Sequence, residues 1–200
     1  MSRDNLKDGS TAAILSRRSF LGAGAAAAAA ALSSFVRPPM AEAFGDSKKP
    51  KNVKIVIFSN QGQRLQVAVM PMVVKTDAEW RQQLGPTAFQ IARQAGTEYP
   101  FSGKYWNNHE AGLYRCICCN TALYSSTTKY DSGTGWPSFW QPIARENIVE
   151  SYDGTLGMQR TAISCRLCNA HLGHVFDDGP RPTGLRYCMN SVALTFVKFA

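Results

Sequence analysis

The sequence has 200 residues, 44% of them hydrophobic, and carries 22 Lys and Arg residues against 14 Asp and Glu residues, a net charge of +8. This length suits one domain or two small ones, and the apolar and aromatic content is too high for a disordered chain. Six cysteines in this length are too sparse for a small disulfide-stapled scaffold. Composition therefore predicts a folded, mildly basic protein with its own hydrophobic core.

The first 43 residues have the organisation of an export signal. The segment 16–21 reads Ser-Arg-Arg-Ser-Phe-Leu and is followed by seven alanines at 25–31, a charged region before a short, weakly apolar one. The paired arginines resemble a twin-arginine signal, which exports folded proteins. Because 41–43 reads Ala-Glu-Ala, we expect cleavage after Ala43 and a periplasmic location. The alternative is an uncleaved membrane anchor, although the apolar stretch is short for a membrane span.

Removal of this signal lowers the net charge of the chain. Residues 1–43 hold five basic and three acidic residues, so residues 44–200 hold seventeen basic and eleven acidic residues, a net charge of +6. The remaining basic cluster is Lys48, Lys49, Lys51 and Lys54, which is typical of a solvated leader. Because no basic run with interleaved aromatics is present, we expect no nucleic-acid partner, and membrane contact only through an uncleaved signal.

Two apolar runs and a helical segment follow the signal. Residues 53–59 and 65–74 are β-branched runs around Asn-Gln-Gly-Gln, which predicts a β-hairpin, and we expect this hairpin to extend a sheet. Thr76 and Glu79 form a capping box, so a helix should begin near Asp77. Gly85-Pro86 should break it, and Gly96 should end a second helix over 87–94.

From Tyr99 onward the sequence has a strand-and-turn pattern. The apolar runs are short and separated by Gly, Pro, Asn and Asp, which favours strands over long helices. The predicted strands are 112–116, 123–125, 157–165, 185–194 and 194–199. We therefore predict a mainly β fold of antiparallel sheets with a short N-terminal helical preface. The predicted organisation is an export signal over 1–43, a linker and hairpin extension over 44–76, and one domain over 77–200.

Four cysteines have the spacing of a metal site. Cys116 and Cys119, like Cys165 and Cys168, are separated by two residues, and two such turns can place four thiolates around one tetrahedral ion. We expect one structural Zn²⁺ that staples the sheets, with iron as the less common alternative. The other reading is a pair of disulfides. The spacing of Cys118 suits metal binding less well than that of Cys116 and Cys119. Its alternative role is that of a second thiol for redox exchange.

The sixth cysteine, Cys188, lies in a strand-like stretch. In a strand, Arg186, Cys188 and Asn190 project from one face and Tyr187 and Met189 from the other. A neighbouring cation lowers the pKa of a thiol and so favours the nucleophilic thiolate. The alternative is a buried, inert cysteine.

Two of the three histidines precede Cys188. His171 and His174 are three residues apart and are followed by Asp177 and Asp178. A histidine pair beside a carboxylate favours proton transfer. The competing reading is a second metal site, for which the sequence offers no obvious third and fourth ligands.

Three ordered motifs carry a family resemblance. They are Tyr130–Phe139 (Tyr-Asp-Ser-Gly-Thr-Gly-Trp-Pro-Ser-Phe), His171–Pro180 (His-Leu-Gly-His-Val-Phe-Asp-Asp-Gly-Pro) and Arg186–Ser191 (Arg-Tyr-Cys-Met-Asn-Ser). They resemble the signatures of the peptide-methionine (R)-S-oxide reductases, the type B methionine sulfoxide reductases. The similarity runs from about Asp77 to Phe199 and places both cysteine pairs at the family's zinc positions.

The resemblance implies a mechanism and roles for the site residues. Methionine sulfoxide is chiral and is reduced by epimer-specific enzymes. The family's activity is reduction of the R epimer, chiefly in oxidised proteins, by a monomer that a thioredoxin-like reductant regenerates. The resemblance implies that Cys188 is the nucleophile and that His171 and His174 transfer the proton. It implies that Asp178 orients an imidazole and that Arg186 and Asn190 stabilise the site. Trp136 would pack against the methyl group of the substrate.

One position departs from the family pattern. Many members carry a resolving cysteine between the two glycines of the Gly-x-Gly-Trp-Pro turn, where this chain has Thr134. The Cys188 sulfenic acid must then be reduced directly by the thioredoxin-like donor or be resolved by Cys118. We expect the direct route, because Cys118 lies within a predicted zinc knuckle.

Two other functions compete with this reading. One is a non-catalytic zinc-ribbon-type binding module, in which the metal site is structural and the rest of the chain is a scaffold. A related zinc-stapled β fold that acts on glutathione adducts leaves Trp136 and the Arg186-x-Cys188-x-Asn190 pattern unexplained.

Overall fold

Antiparallel strand pairing organises the chain in the computed structural model, in which residues 50–154 and 159–200 are described. One helix, α1 (Asp77–Gln94), lies among eleven strands in this part of the chain. The strands are β1 (Asn52–Phe58), β2 (Arg64–Pro71), β3 (Gly112–Cys116), β4 (Ala122–Ser125), β5 (Lys129–Tyr130), β6 (Ser138–Phe139), β7 (Ile148–Asp153), β8 (Arg160–Cys165), β9 (His171–Phe176), β10 (Arg186–Met189) and β11 (Leu194–Lys198).

The strands form three sheets. The largest has the order β5-β6-β10-β9-β8-β7, a second has the order β11-β3-β4, and β1 pairs with β2 alone. Every pairing is antiparallel. The mainly β fold class with a helical preface is therefore confirmed.

Stacked aromatic side chains fill the interface between the two larger sheets. The ring of Phe139 stacks on that of Tyr124 at 4.4 Å between centroids and meets Tyr114 edge-on at 5.0 Å. Helix α1 adds Trp80 and Phe89 to the same buried cluster. Burial of large apolar side chains is the main favourable term in folding, so this cluster holds the sheets and the helix together.

The hairpin β1–β2 is present, but the expectation that it extends a sheet is wrong, because it forms its own two-stranded sheet. Side-chain hydrogen bonds attach it to the rest of the domain. The fully buried Asn147 accepts from the amide of Val56 and donates to its carbonyl, at 2.7 and 2.9 Å. Arg115 donates to the carbonyls of Phe58 and Ser59 at 3.0 Å. These bonds replace the sheet ladder that the prediction assumed.

The helix follows the predicted signals closely. Thr76 and Glu79 form the expected reciprocal capping box, and the helical geometry is interrupted at Gly85, where φ is 72°. The chain turns left-handed at Ala95, one residue before the predicted stop, and the Gly96 amide donates to the Gln90 carbonyl. The predicted break at Gly85-Pro86 is therefore confirmed, and it divides α1 into two helical segments.

Several strand boundaries differ from the expectation. The predicted 185–194 strand ends at Met189 and continues as a 3-10 turn over Ser191–Ala193. Strands β5, β6, β7 and β9 were not predicted. The central strand β9 contains Gly and two His residues, so it lacks the apolar alternation of a half-buried strand.

The predicted export signal at 1–43 lies outside the described residues. Within 50–154 and 159–200, no helix is both long enough and apolar enough to cross a bilayer.

Candidate active site

Strand β10 places Cys188 between two neighbouring strands. In the register of the sheet, Cys188 is opposite Ser138 of β6 and opposite His174 of β9. A Cβ at Gly173 would collide with the carbonyl oxygen of Cys188, so glycine at 173 permits this close approach of β9 to β10. The thiol is thus held by backbone pairing on both sides.

The turn between β5 and β6 carries Thr134 and Trp136 to the same place. The Gly133 amide donates to the Asp131 carboxylate at 2.9 Å, and both Gly133 and Gly135 have positive φ, a conformation that glycine adopts without penalty. Pairing of β5 with β6 anchors the two ends of this turn. The loop is therefore held across the thiol.

Three hydroxyl groups form a cluster beside Cys188. The Ser132 hydroxyl bonds to those of Thr134 and Ser138 at 2.8 and 2.7 Å. The side chains of Thr134 and Ser138 are close enough to Cys188 to lower the pKa of its thiol. The residue at the position of a resolving cysteine in many relatives is therefore a hydroxyl beside Cys188.

The thiol of Cys188 is not activated by its neighbouring cation in the way the sequence suggested. Burial raises its pKa, and the charge of Arg186 and the hydrogen bonds from Thr134, Ser138 and Arg186 oppose that rise without cancelling it. Desolvation disfavours the charged form of any acid. The resting site therefore favours the thiol.

Asp178 binds Arg186, and the expectation that it orients an imidazole is wrong. Its two carboxylate oxygens accept from Nε and a terminal nitrogen of Arg186, both at 2.8 Å. The guanidinium also lies over the ring of Phe176, 4.4 Å from its centroid. Because a paired Arg charge is partly neutralised, its effect on the Cys188 thiol is reduced.

The carboxylate that contacts a histidine is Asp153, which the sequence analysis did not select. Its Oδ2 lies 2.8 Å from Nε2 of His174 and 2.8 Å from a guanidinium nitrogen of Arg160. A carboxylate only accepts hydrogen bonds, so Nε2 of His174 carries a hydrogen. Asp153 and Arg160 face each other across β7 and β8, and without β7 the sequence could not bring them together.

His171 is buried beside His174. The ring centroids are 5.3 Å apart, and Nε2 of His171 has no hydrogen-bond partner among the described residues. Burial lowers the pKa of His171 to about 4, assisted by the charges of His174 and Arg160 and opposed by that of Asp153. His171 is therefore neutral at pH 7.

This burial predicts a pH-dependent stability. Because the folded-state pKa of about 4 lies below the unfolded value of about 6.5, the unfolded chain binds its proton first, and this contribution to stability falls as the pH drops from 6.5 toward 4. We expect His171→Gln to remove about 2 kcal/mol of the loss in unfolding free energy between pH 7 and 4.5. Urea unfolding at both pH values measures this difference.

The exposed His109 offers the matched control. His109→Gln should leave the acid-induced loss as large as in the native protein. An equal pH dependence in the native protein and in His171→Gln would contradict the assignment of the buried neutral ring.

A pocket of about 140 Å³ opens over Cys188. Its described lining is Thr97, Trp136, Arg160, Gly173, His174, Phe176, Cys188, Met189 and Asn190. The Trp136 indole donates to the Glu98 carbonyl at 3.1 Å, and the Asn190 amide oxygen accepts from the Glu98 amide at 3.0 Å. These bonds fix the ring and the amide at the mouth of the pocket.

Four of the predicted site residues line one pocket, and the other three lie next to it. Cys188, His174, Trp136 and Asn190 line this pocket, whereas His171 lines an adjoining cavity that His174 shares. Arg186 touches Cys188, and Asp178 reaches it only through Arg186.

The four predicted metal-binding thiols form a second cluster. The Sγ atoms of Cys116, Cys119, Cys165 and Cys168 all lie within 4.8 Å of one another. The shortest separations are 3.5 and 3.6 Å, near the ~3.8 Å edge of a tetrahedron with Zn–S bonds of about 2.3 Å. All six cysteines are free thiols, so the geometry fits one metal ion and not two disulfides.

Both turns that carry these thiols have the same construction. The amide of Asn120 donates to the Cys116 carbonyl and that of Asn169 to the Cys165 carbonyl, each at 2.8 Å. Both asparagines are left-handed, with φ of 61° and 56°, a conformation that asparagine tolerates. Cys118 is 5% exposed and does not line the Cys188 pocket.

The comparisons with known proteins converge on one family. A family model described as the SelR domain matches residues 84–198. The peptide methionine sulfoxide reductase MsrB of Herminiimonas arsenicoxydans is 55% identical over 124 residues, 62% of this chain and 90% of that protein. The protein of the same name from Acinetobacter baylyi is 57% identical over 120 residues, 60% of this chain and 86% of that protein. Because the model covers more than half of the chain and these relatives align over most of their length, the chain belongs to the SelR family, with the MsrB-type peptide methionine sulfoxide reductases.

Proposed function

We propose that this enzyme reduces the R epimer of methionine sulfoxide, mainly in oxidised proteins, with Cys188 as the nucleophile. The observation that carries the proposal is the convergence of Cys188, His174, Trp136 and Asn190 on one pocket of about 140 Å³. The relatives' name, peptide methionine sulfoxide reductase, supports the substrate class. A non-catalytic zinc-ribbon-type module would have no use for this pocket.

The chemical step is an oxygen transfer between two sulfur atoms. The Cys188 sulfur attacks the sulfoxide sulfur and forms a transient S–S bond. The oxygen then passes to the Cys188 sulfur as the S–O bond of the substrate and the S–S bond both break, which leaves a Cys188 sulfenic acid and methionine. The substrate sulfur gains two electrons and the cysteine sulfur loses two, so thiol plus sulfoxide gives sulfenic acid plus thioether without a further reactant. The thiolate is the attacking form. Substrate binding must therefore accompany deprotonation of a thiol whose pKa is raised by burial.

His174 is the residue placed to move the proton. It lines the pocket, and Asp153 accepts from its Nε2 at 2.8 Å, which leaves Nδ1 to exchange a proton with the sulfoxide oxygen. Asp153 acts through His174 and is a positioning residue. The neutral His171 behind it supplies no proton at pH 7, because its pKa is lowered to about 4.

Trp136 forms the apolar wall for the substrate methyl group. Its indole nitrogen is engaged by the Glu98 carbonyl, so the ring is fixed before substrate arrives. Contact between sulfur or its methyl group and an aromatic ring is favourable. Only one sulfoxide epimer can place its methyl group on this wall and its oxygen toward His174, which accounts for the choice of epimer.

The test is turnover of dabsyl-methionine R-sulfoxide with dithiothreitol, compared with the S epimer. We expect the R epimer to be reduced and the S epimer to give no turnover above background. Absence of R-epimer turnover would overturn the proposal and favour the binding-module alternative.

The Cys188 sulfenic acid is reduced directly by a thioredoxin-like dithiol. One donor thiol attacks the sulfenic sulfur and water leaves, and the second donor thiol then releases Cys188 as a donor disulfide forms. The turn that carries a resolving cysteine in many relatives has Thr134 here. Cys118 is only 5% exposed and does not line the Cys188 pocket, which supports direct reduction over resolution by Cys118.

Replacing Thr134 by cysteine should restore an intramolecular resolving step. After one equivalent of R-sulfoxide without reductant, we expect the native protein to form a dimedone adduct at Cys188. Thr134→Cys should instead form a disulfide between the introduced thiol and Cys188 and lose the adduct, because that thiol would replace a hydroxyl close enough to Cys188 to lower the pKa of its thiol. Mass spectrometry of peptides distinguishes the two products.

Thr134→Ser is the matched control, and it should still give the dimedone adduct. A Cys118–Cys188 disulfide in the native protein would contradict direct reduction.

The metal held by the four cysteines is zinc in this proposal. Cys116, Cys119, Cys165 and Cys168 would hold it, and its chemistry is to cross-link the two cysteine turns. Four closely spaced thiols form the ligand set typical of structural zinc sites. Elemental analysis of purified protein should find one zinc per chain, and one iron per chain would contradict this assignment.

The mature enzyme acts in the periplasm after export of the folded chain. The support is the paired arginines at 17 and 18 and the Ala-Glu-Ala segment at 41–43. We expect the exported protein to begin at Phe44 and Arg17→Lys with Arg18→Lys to remain in the cytoplasm. Fractionation and N-terminal sequencing test this, and recovery of the native protein only in the cytoplasm would overturn it.

A further inference from the structure

Two exposed aromatic residues lie on the segment that is hydrogen-bonded to Trp136 and Asn190 of the Cys188 pocket. Tyr99 is 84% exposed and Phe101 is 55% exposed, and neither belongs to the pocket wall. Isolated exposed apolar residues are common, but neighbouring ones beside a binding pocket mark an interaction site. We call Tyr99 and Phe101 the aromatic rim.

Hydrogen bonds fasten the rim to the pocket on both sides of Tyr99. The preceding Glu98 carbonyl accepts from the Trp136 indole at 3.1 Å, and the Glu98 amide donates to Asn190 at 3.0 Å. On the other side, the Phe101 amide donates to the Gly135 carbonyl at 2.8 Å. The backbone that carries the rim is therefore fixed relative to Trp136 and Asn190, which line the pocket.

Phe101 is held in a conformation that its residue type disfavours. Its φ is 63°, a left-handed value rarely adopted by bulky side chains. A Cβ at Gly135 would lie 2.6 Å from the Phe101 amide nitrogen, so the turn that carries Trp136 is built to accept this backbone. The Phe101 ring meets Trp106 edge-on at 5.2 Å, which fixes the ring while leaving more than half of the residue exposed.

The size of the pocket determines what reaches the rim. A cavity of about 140 Å³ has room for one side chain, so a polypeptide that inserts an oxidised methionine must leave its neighbouring residues outside, along the mouth. We infer that the aromatic rim binds the residues flanking the oxidised methionine and selects extended segments in which those residues are apolar. This inference rests on the proposed function and assigns the rim a role in substrate choice.

Apolar flanking side chains have the matching chemistry. They can bury area against the two rings while the Tyr99 hydroxyl stays in water, whereas small polar side chains offer little apolar area. Burying roughly 50 Å² at about 25 cal/mol per Å² corresponds to a preference of about fivefold to tenfold. The gain is made in binding, so it should appear in KM.

The experiment compares two peptides that carry R-methionine sulfoxide between leucines or between serines. N-acetylmethionine R-sulfoxide amide is the reference substrate without flanking residues. With the full-length native enzyme we expect kcat/KM to be about fivefold to tenfold higher for the leucine peptide, through KM. In Tyr99→Ala and in Phe101→Gly the ratio between the peptides should fall below about twofold.

Controls separate binding from folding. Phe101→Gly removes the left-handed strain, so its loss of selectivity cannot be assigned to a strained fold, and Tm is measured for both variants. Leu65→Ala removes an exposed apolar side chain from β2 (59% exposed) that does not line the pocket, and should preserve the native ratio.

The outcomes distinguish this inference from the proposed function. A native ratio near one, or an unchanged ratio in both rim variants, overturns the inference while turnover of the reference substrate leaves the proposed function standing. A ratio that is lost through kcat with KM unaffected also contradicts it. No turnover of the reference substrate by the native enzyme overturns both.

Discussion

Replacing Cys188 by serine should lower kcat/KM for R-methionine sulfoxide by at least about 1,000-fold. A serine hydroxyl cannot take the oxygen atom in the two-electron step that the thiol performs, and its pKa is too high to supply an anion. The substitution exchanges one small polar atom for another beside the hydroxyl groups of Thr134 and Ser138. We therefore expect the fold to persist, with Tm changed by only a few degrees.

Steady-state turnover with dithiothreitol, together with a thermal melt, measures both effects. Cys118→Ser is the matched control, because it removes a buried cysteine that does not line the Cys188 pocket. That variant should retain dithiothreitol-dependent turnover. Retained turnover in Cys188→Ser would remove Cys188 from the reaction and with it the proposed mechanism.

Replacing Cys165 by serine should reduce the unfolding free energy by on the order of 3–5 kcal/mol and abolish metal binding. Cys165 is fully buried, and its Sγ lies 3.5 Å from that of Cys119. The two cysteine turns are separated by 45 residues of chain and come from different sheets. A metal bound to both turns therefore stabilises the packing of one sheet on the other. Removal of one thiolate ligand breaks this link between the turns.

Chemical unfolding and metal analysis of the variant test this prediction, and a strong chelator should lower the Tm of the native enzyme in the same direction. Cys118→Ser again provides the control, since it changes a buried cysteine in the same cluster without removing a predicted ligand; its expected cost is about 1 kcal/mol. Equal costs for Cys165→Ser and Cys118→Ser, with metal retained in both, would show that the cluster is not a structural metal site.

The two sets of cysteines lie in different environments. The four clustered cysteines come from turns of the two larger sheets, whereas Cys188 lies on a strand whose opposite face is the buried aromatic core. Tyr187 and Met189 have no exposed surface, and Cys188 is partly exposed. Strand alternation thus buries the two neighbours of Cys188 and leaves its thiol at the pocket.

Local chemistry explains why part of the site was predictable. The Thr76–Glu79 capping box and the break at Gly85 depend on contacts within a few residues, and both appear as expected. The two Cys-x-x-Cys turns are equally local, because hydrogen bonds within each turn set the spacing of its thiols. The alternation of β10 likewise predicted which side of that strand carries Cys188.

Partner choice across the sheets could not be predicted in the same way. Asp178 is near the histidines in sequence, yet it binds Arg186, while Asp153 contacts His174 from 21 residues away. The pairing of Asp153 with His174 requires β7, β8 and β9 to lie side by side. Because β7 and β9 lack a clear apolar alternation, neither strand was predicted. The attachment of the hairpin β1–β2 could not be predicted either, since Asn147 bonds to Val56 from 91 residues away.

The sequence by itself therefore determined the class of fold, the four cysteines that cluster as a possible metal site, and the family. Each of these depends on short-range spacing or on motifs that the chain carries in order. Only the tertiary structure decided which carboxylate serves which side chain, that burial outweighs Arg186 in setting the pKa of Cys188, and where the aromatic rim lies. The physical reason is that desolvation and hydrogen-bond pairing depend on neighbours brought together by sheet register, which local sequence does not contain.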